Sequence, residues 1–243
     1  MGNIKTIVLG SPSGGSSFTY KVIEEFLRKI NPKLKSCHEP SMIGPLTYWW
    51  EQFKSFKEVE DNFNIALDHY NKFSNSDLIK VNYYTRFLNK GFIKNENLIF
   101  VVRAPWQWAK SGLSVRFSEN YFYWMTYENK NLGKDNFKHI MDLWIEIHSQ
   151  VWDNMKNYNN NTLYLNYYDY VDNYKFLENS LNNFYKPKEY ITIDDYSNKQ
   201  LVTTNTRRSK NETIKDINPN YRDYRLDEIK DIFNKFNFNL DFI

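Results

Sequence analysis

The chain has 243 residues, 41% of them hydrophobic and 18% aromatic, which excludes a disordered chain and predicts a sizeable buried core. Its net charge of +3 is too mild to indicate nucleic-acid binding, and its single cysteine, Cys37, excludes an internal disulfide. No apolar run approaches the roughly 20 residues of a membrane-spanning helix. These features predict one domain over residues 1–243, located in the cytoplasm and binding neither nucleic acid nor membrane. They leave the oligomeric state open.

Short apolar runs predict buried strands at Thr6–Gly10, Asn97–Arg103 and Thr162–Tyr167. None of them alternates strictly with polar residues, which is typical of a parallel sheet covered on both faces. Between them, apolar residues recur at helical spacing, and we interpret the longest stripe as core packing. Its members are Ile140, Trp144, Ile147, Val151 and Met155. The alternation predicts an α/β fold of three layers, whose ligands bind at the carboxyl ends of the strands.

The first strand is followed by the sequence SPSGGSS, which is typical of a phosphate-binding loop. Gly10, Gly15 and Ser17 fit the template G-x-x-x-x-G-K-[ST], but Ser16 stands where the template has lysine. Gly14 and Gly15 permit positive φ and a close approach to a ligand. The serine hydroxyls and the N–H groups of the following helix can then hold an anion. The alternative is an ordinary turn capped by Ser16.

The second strand is followed by RAPWQWAKS, in which Arg103 is predicted to end the strand and Pro105 to open a helix. Ser111 lies about two turns into that helix. A guanidinium at a strand end and a hydroxyl on the next helix can converge on one phosphate group.

These two motifs, followed by LYLNYYDYVDN, resemble the motifs of sulfotransferases that use 3′-phosphoadenosine-5′-phosphosulfate (PAPS). The resemblance is to a bacterial-type member with a divergent phosphosulfate loop, since Ser13 stands where a lysine or arginine is common. It implies a P-loop-like sulfotransferase fold. It also implies metal-free transfer of a sulfuryl group from PAPS to a hydroxyl of a small molecule or carbohydrate, which releases adenosine 3′,5′-bisphosphate (PAP).

The resemblance assigns binding of PAPS to residues of the loop, the two strand ends and a basic segment near the C-terminus. They are Ser13, Gly14, Gly15, Ser16, Ser17, Phe18, Arg103, Ser111, Tyr167, Arg207 and Arg208. Phe18 is expected near the adenine, and Arg103 and Ser111 at the 3′-phosphate. The positive charge missing at Ser13 is expected from Lys21 or from the basic segment.

A catalytic base is predicted in LKSCHEPSMIGP, which resembles a Glu-Pro segment of the family. Glu39 is the first candidate and His38 the second. A buried glutamate can have a pKa near neutrality, which suits proton abstraction. The alternative is that Glu39 is a residue of a surface turn and that His38 only packs locally. The K-T-H sequence of cytosolic members has its nearest counterpart at Lys80, without the histidine.

Two other functions stay open. A non-catalytic PAPS- or PAP-binding protein would keep the fold and lack the loop cation. A P-loop kinase would need the loop lysine and an acidic magnesium ligand, for which Asp169 is the best-placed carboxylate. No Cys/His/Asp cluster predicts a metal site.

Overall fold

The computed structural model describes residues 5–10, 15–38, 76–82, 96–108, 136–156, 161–195 and 219–240. Within these ranges, five parallel strands form one sheet in the order β2-β3-β1-β4-β5. The strands are β1 Thr6–Gly10, β2 Ser36–His38, β3 Leu78–Asn82, β4 Asn97–Val102 and β5 Thr162–Asn166. The predicted α/β fold with a parallel sheet is therefore confirmed.

Helices alternate with these strands along the described parts of the chain. They are α1 Ser16–Ile30, α2 Asn136–Met155, α3 Tyr167–Tyr170, α4 Tyr174–Tyr185, α5 Pro219–Arg222 and α6 Leu226–Lys235. A further helical turn lies at residues 105–108. Within the described ranges, no helix is both long and apolar enough to cross a bilayer.

Helices cover the sheet on both faces. On one face, α1 and α4 share a core with Val8, Ile99 and Leu165 of the strands. On the other face, Phe236, just after α6, stacks on Phe100 with ring centroids 6.5 Å apart. The apolar runs of the central strands are buried on both sides for this reason, since alternate side chains point into different layers.

The helix patterns of the sequence are confirmed. In α1, Ile23 and Phe26 are fully buried, and the five apolar stripe residues of α2 are all buried.

Two strand ends differ by one residue from the prediction, because β4 ends at Val102 and β5 ends at Asn166. The side chain of Asn166 accepts a hydrogen bond from the N–H of Tyr168 and so caps α3, which ends the strand.

The strand β3 was not among the three predicted strands. Its sequence, LIKVN, is interrupted by a lysine and ends in asparagine, so it lacks the continuous apolar character of β1 and β4. Lys80 is nevertheless only 1% exposed. The apolar pattern failed here because a lysine occupies a buried position of the strand.

Candidate functional site

The carboxyl ends of the strands meet at one edge of the sheet. Gly10, the last residue of β1, pairs with Asn82 of β3 and with Val101 of β4. From β1 the chain passes first to β2 and β3 on one side and later to β4 and β5 on the other. In open α/β sheets such a change of direction marks the crevice where ligands bind, so we expect the ligand site at the end of β1.

The start of α1 is packed tightly against the end of β1. A Cβ atom on Gly10 would lie 2.5 Å from the Cβ of Ser16, so only glycine allows this approach. Gly15 is the N-cap of α1 and has a φ of 85°, in the left-handed region. Gly15 and not Ser16 is therefore the N-cap, and binding of an anion by the loop stays a prediction. Because glycine has no side chain that could cap the first-turn N–H groups, the end of the helix is suited to an anionic ligand.

The ring of Tyr167 lies between Gly15 and Arg103. A Cβ on Gly15 would approach the Cγ of Tyr167 to 2.9 Å, and the Cζ of Arg103 lies 5.4 Å from the centroid of the same ring. Arg103 and Tyr167 are 6% and 7% exposed. The structure thus brings together three of the predicted site residues, which come from α1, from the end of β4 and from the end of β5.

Further aromatic contacts fix α3 against α1. The ring of Phe18 meets Tyr167 edge-on, with centroids 6.2 Å apart, and stacks on Tyr170 at 6.4 Å. The hydroxyl of Tyr170 shares a hydrogen bond with that of Thr19, which also donates to the carbonyl of Gly15 over 3.0 Å. Phe18 is therefore part of the core as well as a neighbour of the site, and its predicted contact with adenine stays a prediction.

A carboxyl group lies at the end of β5. The side chain of Asn166 donates to Oδ1 of Asp169 over 3.2 Å. Burial raises the pKa of Asp169 to about 6, although the hydrogen bond from Asn166 acts in the opposite direction. Asp169 therefore changes its charge close to neutral pH.

The candidate base His38 ends β2, at the same edge of the sheet but beyond β3. It pairs with Lys80, which in turn pairs with Val8 of β1. Its ring is exposed and lies edge-on to Tyr20, with centroids 5.0 Å apart. Burial raises the pKa of Tyr20 to about 12, against a hydrogen bond with Ser36, so the tyrosine is neutral.

Lys80 is a buried side chain that the sequence analysis treated only as the counterpart of a family motif. Leu78, two residues earlier, belongs to the core under α1. Because side chains alternate along a strand, Lys80 lies on that same face. A lysine inside an otherwise apolar run was the signal that could have revealed it, since lysine is rarely buried without a role.

Lys21, the predicted substitute for the loop cation, has its ammonium 3.0 Å from a carboxylate oxygen of Glu24 on the exposed side of α1. Six predicted site residues lie outside the described residues. They are Ser13, Gly14, Glu39, Ser111, Arg207 and Arg208. Among the residues that are described, no group of three or more His, Cys, Asp or Glu residues is placed to hold a metal ion.

Comparison with known proteins supports the fold. A search of solved structures matches the sulfotransferase domain from the curacin biosynthetic pathway, with a TM-score of 0.56 and 13% sequence identity. The match covers 98% of this chain and 98% of that domain. No family model matches the chain, and no curated protein matches its sequence. The chain therefore has a sulfotransferase-like α/β fold, as its motifs predicted.

Proposed function

We propose that this protein transfers a sulfuryl group from PAPS to a hydroxyl group of a small molecule or carbohydrate and releases PAP. The observation that carries the proposal is the position of Tyr167, whose ring contacts both Gly15 and the guanidinium of Arg103. A helix N-terminus and a buried arginine thereby flank one crevice. The likeness in fold to a sulfotransferase domain is in agreement with it.

The two sides of the crevice suit the two ends of PAPS. Backbone N–H groups at the start of α1, with Ser16 and Ser17, would hold the 5′-phosphosulfate. Arg103, with Ser111, would hold the 3′-phosphate, because a guanidinium presents a planar pair of donors to phosphate oxygens. The 3′-phosphate distinguishes PAPS from ATP, so this assignment predicts that ATP binds poorly.

The chemical step requires a proton acceptor and a positive charge. The acceptor oxygen attacks sulfur, the bond from sulfur to the bridging phosphate oxygen breaks, and its electron pair stays on the 5′-phosphate of PAP. The proton of the acceptor hydroxyl goes to a base, for which Glu39 is the first candidate and His38 the second. Negative charge grows on the leaving phosphate oxygen, where a positioned cation lowers the barrier.

Lys80 is our candidate for that cation. It is buried, it lies on the face of the sheet that α1 covers, and its strand is hydrogen-bonded directly to β1. Lys80 stands two residues before the end of β3, and so near the carboxyl edge of the sheet. Burial in a poorly polarisable environment makes such a charge more effective than an exposed one.

The first test is calorimetric titration of PAP and ATP into the wild-type protein and into Arg103→Ala. We expect the wild type to prefer PAP, and the variant to bind PAP about ten- to a hundredfold more weakly, since a charge-assisted hydrogen bond contributes roughly 1.5–3 kcal/mol. Arg222→Ala, which removes an exposed arginine paired with Asp223, is the control and should leave the preference intact. A wild type that binds ATP as well as PAP contradicts the proposal.

Turnover separates a catalyst from a protein that only binds. PAPS is incubated with a panel of phenols, aliphatic alcohols and sugars, and release of PAP is measured with and without each acceptor. Acceptor-dependent release supports the transferase. Tight PAP binding without release for any acceptor favours the non-catalytic alternative, and transfer of phosphate from ATP would indicate the kinase.

A further inference from the structure

The main chain at Arg103 is held by a residue from a distant helix. The indole Nε1 of Trp144, in α2, donates a hydrogen bond of 2.8 Å to the carbonyl oxygen of Arg103. Trp144 is completely buried. Arg103 is thus held at both ends. Its guanidinium lies over the Tyr167 ring, and its carbonyl is bound by α2.

Arg103 lies one residue beyond the end of β4. The last pair of the ladder between β4 and β5 joins Val102 to Asn166, one residue earlier. The next carbonyl, that of Ala104, accepts from the N–H of Trp108 in the following helical turn. Arg103 therefore falls at the joint between a strand and a helix, and the hydrogen bond from Trp144 holds its carbonyl there.

Trp144 is itself held in one orientation. Its ring stacks on His148, with centroids 4.2 Å apart, and on Phe233 of α6, at 5.6 Å. Nδ1 of His148 lies 2.7 Å from the carbonyl oxygen of Trp144. Burial lowers the pKa of His148 to about 4, so this support is neutral and does not change with pH near neutrality.

We propose that Trp144 is a positioning residue of the donor site, which acts by fixing the Arg103 peptide so that the guanidinium meets the 3′-phosphate. This inference rests on the proposed function, because it assumes that Arg103 binds that phosphate. Trp144 is completely buried and would act through the main chain of Arg103 and not by contact with the ligand. Its contribution is preorganisation, since an arginine whose backbone is already fixed loses less freedom when it binds.

The test compares Trp144→Phe with the wild type in the binding of PAP and of AMP, two ligands that differ only in the 3′-phosphate. We expect the variant to bind PAP about two- to tenfold more weakly and AMP as well as before, because a hydrogen bond contributes roughly 0.5–1.5 kcal/mol. Trp152→Phe, on the same helix and edge-on to Phe236, is the matched control. It should preserve the preference for PAP.

A double-mutant cycle separates positioning from mere stability. In the Arg103→Ala background, Trp144→Phe should change the affinity for PAP no further, because the group that it positions is absent. An equal loss for PAP and AMP, or the same loss in both backgrounds, overturns the inference. A wild type without preference for PAP over AMP would instead contradict the proposed function, so the two failures are distinguishable.

A second variant keeps the test decisive if Trp144→Phe folds poorly. Benzothienylalanine at position 144 preserves the size and stacking of the indole and replaces its N–H by sulfur. It should reproduce the selective loss of PAP affinity while the melting temperature stays near that of the wild type. Unchanged discrimination between PAP and AMP in this variant overturns the inference.

Discussion

The two halves of the proposed donor site hold their ligand by different means. The α1 half consists of Gly10, Gly15 and the start of α1, and it offers backbone N–H groups and serine hydroxyls. The strand-end half consists of Arg103 and Tyr167, and it offers one buried guanidinium over an aromatic ring. A backbone site needs only room and positive φ, so its side chains can diverge. A guanidinium fork has no backbone substitute, so this half depends on the side chain of Arg103 itself.

The largest effect is expected from removing Lys80, the residue outside the loop that we propose supplies the positive charge missing from the α1 half. Lys80→Met should lower kcat by about 100-fold or more, since removal of one group that stabilises transition-state charge typically has this effect. Affinity for PAP should fall less, because the charge on the leaving oxygen develops only during the reaction. Steady-state kinetics and PAP titration measure the two quantities.

Two further variants locate the charge. Lys21→Met removes the lysine that the sequence suggested for this role, and a loss of kcat there, but not in Lys80→Met, would assign the role to Lys21. Lys29→Met, at an exposed residue near the end of α1, is the control for charge alone. Melting temperatures check that methionine is tolerated at the buried position.

The second prediction concerns the conformation of the α1 half. Gly15→Ala should lower the free energy of unfolding by about 2–4 kcal/mol, because a left-handed residue with a Cβ is strained and the new atom meets the Tyr167 ring. Gly10→Ala adds only a steric conflict, with Ser16, and should cost less. Urea denaturation measures both, and a larger loss for Gly10→Ala would contradict this account.

The sequence predicted the α1 half and the position of Arg103 well, for a local reason. Glycine positions, helix spacing and the strand–proline junction at Pro105 are all short-range features, and they placed Gly15 and Arg103 at one edge of the sheet. The contact of Trp144 with Arg103 could not be predicted in this way. The helical pattern correctly placed Trp144 in the core, but its partner depends on how α2 docks against the end of β4.

The third prediction concerns the hydrogen bond between Thr19 of α1 and Tyr170 of α3, the helix that begins with Tyr167 of the strand-end half. Tyr170→Phe should cost about 0.5–1.5 kcal/mol of stability and weaken PAP binding severalfold, because Thr19 and through it Gly15 lose their support from α3. Tyr185→Phe is a closely matched control, since its hydroxyl bonds Thr6 over 2.9 Å at the other end of β1. Both variants should lose stability, but only Tyr170→Phe should lose affinity for PAP. Equal affinities in the two variants would show that the halves are not coupled through this contact.

The smallest expected effect concerns the carboxyl group beside the strand-end half. Because burial raises the pKa of Asp169 from 3.8 to about 6, the folded protein binds the proton more tightly than the unfolded chain does. This group therefore makes stability fall as pH rises between those two values, and its ionised form opposes folding above them. Asp169→Asn removes the titration and keeps an acceptor for Asn166. The variant should melt higher than the wild type at about pH 7, and the difference should shrink towards about pH 4.

Asp172→Asn, at an exposed position of the next turn, controls for the loss of one negative charge. A melting-temperature difference between Asp169→Asn and wild type that grows towards low pH would mean that the ionised carboxylate is stabilised in the fold, and that the strand-end half contains more positive charge than Arg103 alone supplies.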